Sequence, residues 1–136
     1  MIKRVLTVGV YDLIHIGHVN LFCRAKGLGD HLTVAVQKSD YVSRFKPSAN
    51  LVYNTEERMY MVKAIRFVDE VVPYTSVDTI VKEISFDILV VGPDQTHQRF
   101  QEAFEWCTGN GKQVIVLPRT EGISSSWLKE QIKNMQ

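Results

Sequence analysis

Short runs rich in β-branched residues alternate with helix-patterned segments along the whole of this 136-residue chain, and that rhythm leaves few folds open. Strands alternating with helical patterns build βαβ units with a parallel sheet. Right-handed crossovers then place helices on both faces. Residues 5–9, 32–36, 68–72, 88–91 and 114–117 read as strands, and 18–29, 55–65, 77–84, 100–107 and 127–132 as helices. Thr55 suits an N-cap, with Glu56 and Glu57 in the first turn after it. Gly109-Asn110-Gly111 reads as a turn, and 39–54 as the longest loop. Loops of that length in a small fold are often lids or binding loops. The expectation is one α/β domain over 1–136, with a Rossmann-like five-stranded parallel sheet. In such sheets ligands bind beyond the carboxyl ends of the strands, where the strand order reverses.

Charge excludes some partners. Sixteen Lys+Arg against 15 Asp+Glu leave a net charge of +1, whereas a broad nucleic-acid surface needs a basic face. Cys23 and Cys107 fit no metal or redox spacing, so both read as buried free thiols. No segment resembles a signal peptide or approaches the roughly 20 apolar residues of a membrane span. A cytoplasmic protein without membrane or nucleic-acid partners is expected.

Two of the four histidines fall in Gly9-Val10-Tyr11-Asp12-Leu13-Ile14-His15-Ile16-Gly17-His18, directly after the first strand. Where a strand turns into a helix, free backbone N–H groups and the positive end of the helix dipole favour phosphate. Gly17 lets an anion approach the backbone. His15 and His18, three residues apart, would present two imidazole donors to one phosphate. A dinucleotide-binding G-x-G-x-x-G is absent, and His-x-x-His without a third ligand is a weak zinc signal. After the last strand comes Arg119-Thr120-Glu121-Gly122-Ile123-Ser124-Ser125-Ser126, hydroxyls clustered at a helix start with an arginine nearby. One serine would serve as N-cap. The remaining donors suit a polyphosphate. Both segments follow strands of one parallel sheet, so both should reach the same edge.

These two segments, with Ile65-Arg66-Phe67-Val68-Asp69-Glu70-Val71, resemble the cytidylyltransferase-like nucleotidyltransferases, most closely the bacterial glycerol-3-phosphate cytidylyltransferases. The resemblance covers essentially the whole chain. It implies that Val10, Tyr11, His15, Ile16, Gly17, His18, Asp94 and the run from Arg119 through Thr120, Glu121, Gly122, Ile123, Ser124 and Ser125 to Ser126 surround CTP. It also implies catalytic roles for His15, His18, Lys46 and Arg119, with Arg44 a possible second loop cation. Lys46 and Arg58 would serve the substrate, Mg²⁺ would come with the nucleotide, and the chain would form a homodimer. Four departures stand out. Val10 replaces a threonine, Val77 and Ile80 fall where a tryptophan and a lysine are usual with Lys82 only nearby, Gly92-Pro93-Asp94-Gln95 replaces Gly-Asp-Asp-Trp, and three serines end the last signature. Most of these lie on the acceptor side.

The implied reaction moves the cytidylyl group of CTP to a small phosphorylated alcohol, foremost glycerol 3-phosphate, releasing pyrophosphate and giving CDP-glycerol, a precursor for cell-envelope polysaccharide. Another phospho-polyol or phospho-amino alcohol, an ATP-dependent adenylyltransferase and a non-catalytic nucleotide-binding regulatory module are the alternatives.

Overall fold

A computed structural model of the chain describes residues 2–135. Five strands form one parallel sheet in the order β3-β2-β1-β4-β5, with β1 at Arg4–Gly9, β2 at His31–Gln37, β3 at Glu70–Tyr74, β4 at Ile88–Val91 and β5 at Gln113–Val116. The helices are α1 (Ile16–Lys26), α2 (Ser39–Phe45), α3 (Thr55–Lys63), α4 (Val77–Glu83), α5 (Gln98–Gly109) and α6 (Ser125–Asn134). The expected Rossmann-like architecture is thus the observed one. Strand order reverses between β1 and β4, and the crevice at their carboxyl ends is the site such a topology provides.

Alternation along the strands divides the core. Leu32, Val34 and Val36 of β2 pack with Val5, Phe22 of α1 and Val62 of α3 on one face. Leu6 and Val8 of β1, with Leu89 and Val91 of β4, meet Ile80 of α4 and Phe100 and Ala103 of α5 on the other. A side-chain period of two sends neighbouring strand residues to opposite faces. Within the sheet, the buried Thr7 hydroxyl donates to the Val90 carbonyl at 2.8 Å.

Several boundaries differ from the sequence reading. Helix α2 lies inside the segment expected to be loop, and its seven residues bury only Val42, too little to mark an apolar face. Strand β3 begins two residues late and runs through Pro73, which a sheet edge tolerates. The turn after α5 forms as expected. Gly111 takes φ +72° and the Lys112 N–H donates to the Cys107 carbonyl at 2.8 Å, a glycine-terminated helix end. Cys107 is buried, but Cys23 is exposed, because Phe22 and Ala25 make up the fully buried part of α1. Burial raises the Cys107 thiol pKa. Among the described residues no helix is long and apolar enough to cross a membrane.

The exit from β1 is sterically demanding. Tyr11 adopts φ +56°, which costs a non-glycine residue roughly 1–2 kcal/mol. Its buried ring folds back over Gly9, where an added Cβ would lie 2.6 Å from Tyr11 Cζ. Gly9→Ala should therefore lower the unfolding free energy in urea by about 1–3 kcal/mol, the usual range for overpacking. An unchanged midpoint would mean that the ring yields freely.

Candidate active site

His15 is the N-cap of α1, which therefore starts earlier than the sequence suggested. Its Nδ1 accepts from the Gly17 N–H at 3.0 Å, and His18 Nδ1 accepts from the His15 N–H at 3.2 Å. The two imidazoles thus play the parts usually taken by a serine and a glutamate in a capping box. An Nδ1 that accepts a hydrogen bond carries no proton, so each neutral ring is protonated at Nε2. The rings lie 3.9 Å apart between centroids, tilted by 30°. Tyr11 supports His18 edge-on at 5.3 Å and Phe22 at 5.2 Å.

Both rings resist protonation. Burial, followed by the nearby His15, lowers the His18 pKa to about 3. Burial and then the Arg119 charge lower that of His15. Two Nε2–H donors on uncharged rings are what remains for a ligand.

The second loop meets the first here. The Asn20 amide donates to Thr120 Oγ1 at 3.1 Å, and Ser125 Oγ donates to the Leu13 carbonyl at 3.1 Å. Ser124 caps α6 by accepting from the Trp127 N–H at 3.0 Å. Residues of both loops line a cleft of about 1340 Å³ at the carboxyl edge of the sheet. Val10, Tyr11, His15, Gly17 and His18 line it from the first loop. Arg119, Thr120, Ile123, Ser124, Ser125 and Ser126 line it from the second, with Lys46 and Asp94 completing the wall. Arg119 faces Asp94 across 3.8 Å, both more than half exposed. An exposed pair of that length is worth at most about 1 kcal/mol, so either group exchanges partners at small cost.

Other expected residues lie elsewhere. Arg58 is 0% exposed, and its five N–H groups go to protein acceptors. Nη1 donates to the Val10 and Gln37 carbonyls at 2.8 and 2.7 Å, Nε to the Tyr53 carbonyl at 3.2 Å, and Nη2 to Ser39 Oγ and Thr55 Oγ1. It has no donor left for a substrate and instead ties the ends of β1 and β2 to α3. Ile16 is 61% exposed and, with Glu121 and Gly122, does not line the cleft. Arg44 stacks on Tyr41 at 4.5 Å, also outside the cleft. Val77 and Ile80 are core residues, and Lys82 is exposed on α4 away from the cleft, so α4 offers the cleft no polar group from these positions.

Two further residues had not stood out in the sequence. Asp12 is 3% exposed and accepts from the Val52 and Tyr53 N–H groups, each at 2.9 Å or less in its shorter contact, and pairs with Lys129 at 2.7 Å. Burial would raise the Asp12 pKa, but the Lys129 and backbone hydrogen bonds outweigh it and hold the carboxyl below its usual value. Gln95 spans the crevice, accepting from the Gly92 N–H and donating to the Val8 carbonyl, both at 2.9 Å. Its Val8 partner comes into reach only once β1 and β4 are adjacent.

The depressed His18 pKa predicts a pH dependence. The unfolded ring gains a proton below about pH 6.5 while the folded ring stays neutral, so the unfolded state binds more protons there. The His18 contribution to stability is complete above pH 6.5 and falls with pH toward 3, by roughly 1–2 kcal/mol at pH 5. The His18 Cε1–H resonance should stay flat between pH 7.5 and 5. A titration centred near 6.5 would contradict the neutral ring.

Comparison with known proteins agrees with this geometry. Residues 6–131 match the family described as cytidylyltransferase-like. The chain is 35% identical over 136 residues to the glycerol-3-phosphate cytidylyltransferase of Bacillus subtilis, covering 98% of this chain and 99% of that protein. It is 37% identical over 135 residues to the bifunctional protein HldE of Haemophilus influenzae, covering 96% of this chain but 28% of that one. A solved structure of a lipopolysaccharide core biosynthesis protein from Thermoplasma volcanium shares the fold, with a TM-score of 0.71 at 24% identity over 88% of this chain and 98% of that one. A cleft built from both loops, within a match spanning nearly the whole sequence, places this chain in the cytidylyltransferase-like family of nucleotidyltransferases.

Proposed function

We propose that this enzyme transfers the cytidylyl group of CTP to glycerol 3-phosphate, giving CDP-glycerol and pyrophosphate. The observation that carries the reading is the convergence of the imidazole pair and the serine turn on one cleft, within a chain similar over its full length to a glycerol-3-phosphate cytidylyltransferase.

An oxygen of the acceptor phosphate attacks the α-phosphorus in line, forming the new P–O bond as the bond to the β-phosphate oxygen breaks. Pyrophosphate leaves with that electron pair. The acceptor is a phosphate monoester with a second pKa near 6, already an anion at neutral pH. No general base is required. Catalysis then consists of alignment and charge neutralisation around the transferring group. His15 and His18 direct their Nε2–H groups at the phosphate oxygens, fixed in place before reaction by the capping bonds. A neutral donor adds no positive charge that would have to be desolvated in the cleft. Lys46 and Arg119 supply the charge from the rim, with Ser126 and the start of α6 taking the terminal phosphates.

Mg²⁺ belongs to the same proposal, arriving with the triphosphate. Asp12 is committed to Lys129 and two backbone donors. Of the other carboxylates that line the cleft, Asp94 and Glu130, Asp94 faces Arg119 and is the one proposed to take a water of the hydrated ion. A cation held by phosphates and water, with one protein carboxylate nearby, suits magnesium coordination, and it would supply charge neutralisation. A cytoplasmic location follows from the use of CTP. A homodimer would cover exposed apolar surface such as that of Tyr60, and light scattering would report twice the 15.6 kDa chain mass.

Pyrophosphate release tests the reading, with CTP and ATP each offered to glycerol 3-phosphate and to other small phosphorylated alcohols. CTP with glycerol 3-phosphate should give the highest kcat/KM, and a preference for ATP would overturn the assignment. Asparagine places an amide oxygen near the position of Nδ1 but has nothing at Nε2. His15→Asn and His18→Asn should therefore keep the helix cap and still lose about 100-fold or more in kcat, the scale of one transition-state donor. Near-normal turnover in both would remove the imidazoles from the chemistry.

A further inference from the structure

Helix α6 carries the serine turn that lines the cleft, yet none of its side chains is buried. Apolar burial does little to hold such a helix, so directional polar contacts must fix it. Ser125 Oγ bonds the Leu13 carbonyl in the first turn. The Lys129 ammonium, one turn further on, bonds the Asp12 carboxylate at 2.7 Å and the Asn50 carbonyl at 3.0 Å. A contact at the first turn alone would act as a pivot and leave the helix axis free to swing. Lys129 supplies the second fixed point. The carboxylate it grips is itself anchored, because Asp12 also accepts from the Val52 and Tyr53 N–H groups. One clasp therefore joins three segments remote in sequence: the loop after β1, the chain before α3, and α6. Its acid is 3% exposed, so salt screens the pair less than it screens Arg119 and Asp94 on the rim.

We infer that Lys129 is a positioning residue: acting through Asp12, it sets the tilt of α6 and so holds the serine turn at working distance from the imidazole pair. The inference rests on the nucleotide-transfer reading above. Misplacement by about 1 Å in such an arrangement can cost 100-fold in rate.

Lys129→Met keeps most of the aliphatic stem and leaves Asp12 its two backbone donors, so the fold should survive. KM for CTP should rise about tenfold or more and kcat should fall, with a smaller change in KM for the acceptor. Lys129→Arg should restore most of the loss. Asp12→Asn should reproduce the CTP defect, and the double variant should be no worse than the poorer single one. Trp127, half-exposed on α6, gives a readout independent of turnover once Trp106 is replaced by phenylalanine. Its quenching by acrylamide should increase in Lys129→Met and return to the parent level in Lys129→Arg. CTP kinetics within twofold of the parent in Lys129→Met would overturn the inference. So would Asp12→Asn with normal CTP kinetics beside a defective Lys129→Met, because the lysine would then act on the nucleotide directly. A parent protein that releases no pyrophosphate from CTP with any acceptor would defeat the transfer reading instead, and Trp127 quenching would still test the clasp.

Discussion

Two backbone N–H groups at the start of α1 fix which edge the imidazole pair turns to the cleft, because they occupy the Nδ1 atoms of His15 and His18. Four N–H groups at a helix start lack partners within the helix, and something must satisfy them. In most helices a small oxygen-bearing side chain does so. Here imidazole does it, and the same bonds fix both tautomers and both ring planes. Helix formation uses the Nδ1 edge of each ring, and the proposed phosphate contacts would use the opposite, Nε2 edge. The burial that depresses the His18 pKa completes the arrangement, since a charged ring would lose its Nδ1 lone pair and with it the cap.

This dual use explains what could be read from the sequence. The His-x-Gly-His run stood out as a candidate phosphate site because its chemistry is local: two donors and a glycine at a strand exit. Its capping role was hidden, since histidine is not among the favoured N-cap residues, and the helix start was accordingly placed too late. The sheet was legible for a similar reason. Buried parallel strands such as Ile88–Val91 are continuous apolar runs that need no tertiary context to recognise. Helix α2 buries a single valine and gives no such pattern.

Arg58 and Asp12 mark the limit of that reading. A lone charge near a helix start reads as solvated or ligand-facing, because full burial of an unpaired charge is prohibitive. Arg58 is buried at tolerable cost because three backbone carbonyls and two hydroxyls converge on its fork, and they come from three segments, at Val10, at Gln37 and Ser39, and at Tyr53 and Thr55. Asp12 is the mirror case, a carboxylate whose donors lie about 40 and 117 positions along the chain. Neither set of partners exists until the sheet has formed, so no local pattern could reveal them.

The charges of this molecule fall into two classes, and the division follows burial. Arg58 and Asp12 are buried and held by several short bonds each, with the part-exposed Lys129 as the ionic partner of Asp12, and removing a partner would leave a charge in a poorly solvated place. Arg119, Asp94 and Lys46 sit at the rim, where water competes for every contact and an ion pair is worth little. A cleft that must admit a tetraanionic nucleotide and release pyrophosphate needs both kinds. Rigid buried charges keep the two loops in register without being drawn toward the ligand. The loosely held cations of the rim, Arg119 and Lys46, reorient toward it at small cost and let it go again. Were Arg119 bonded as Arg58 is, product release would have to break a buried network, and turnover would slow for a reason unrelated to the chemical step.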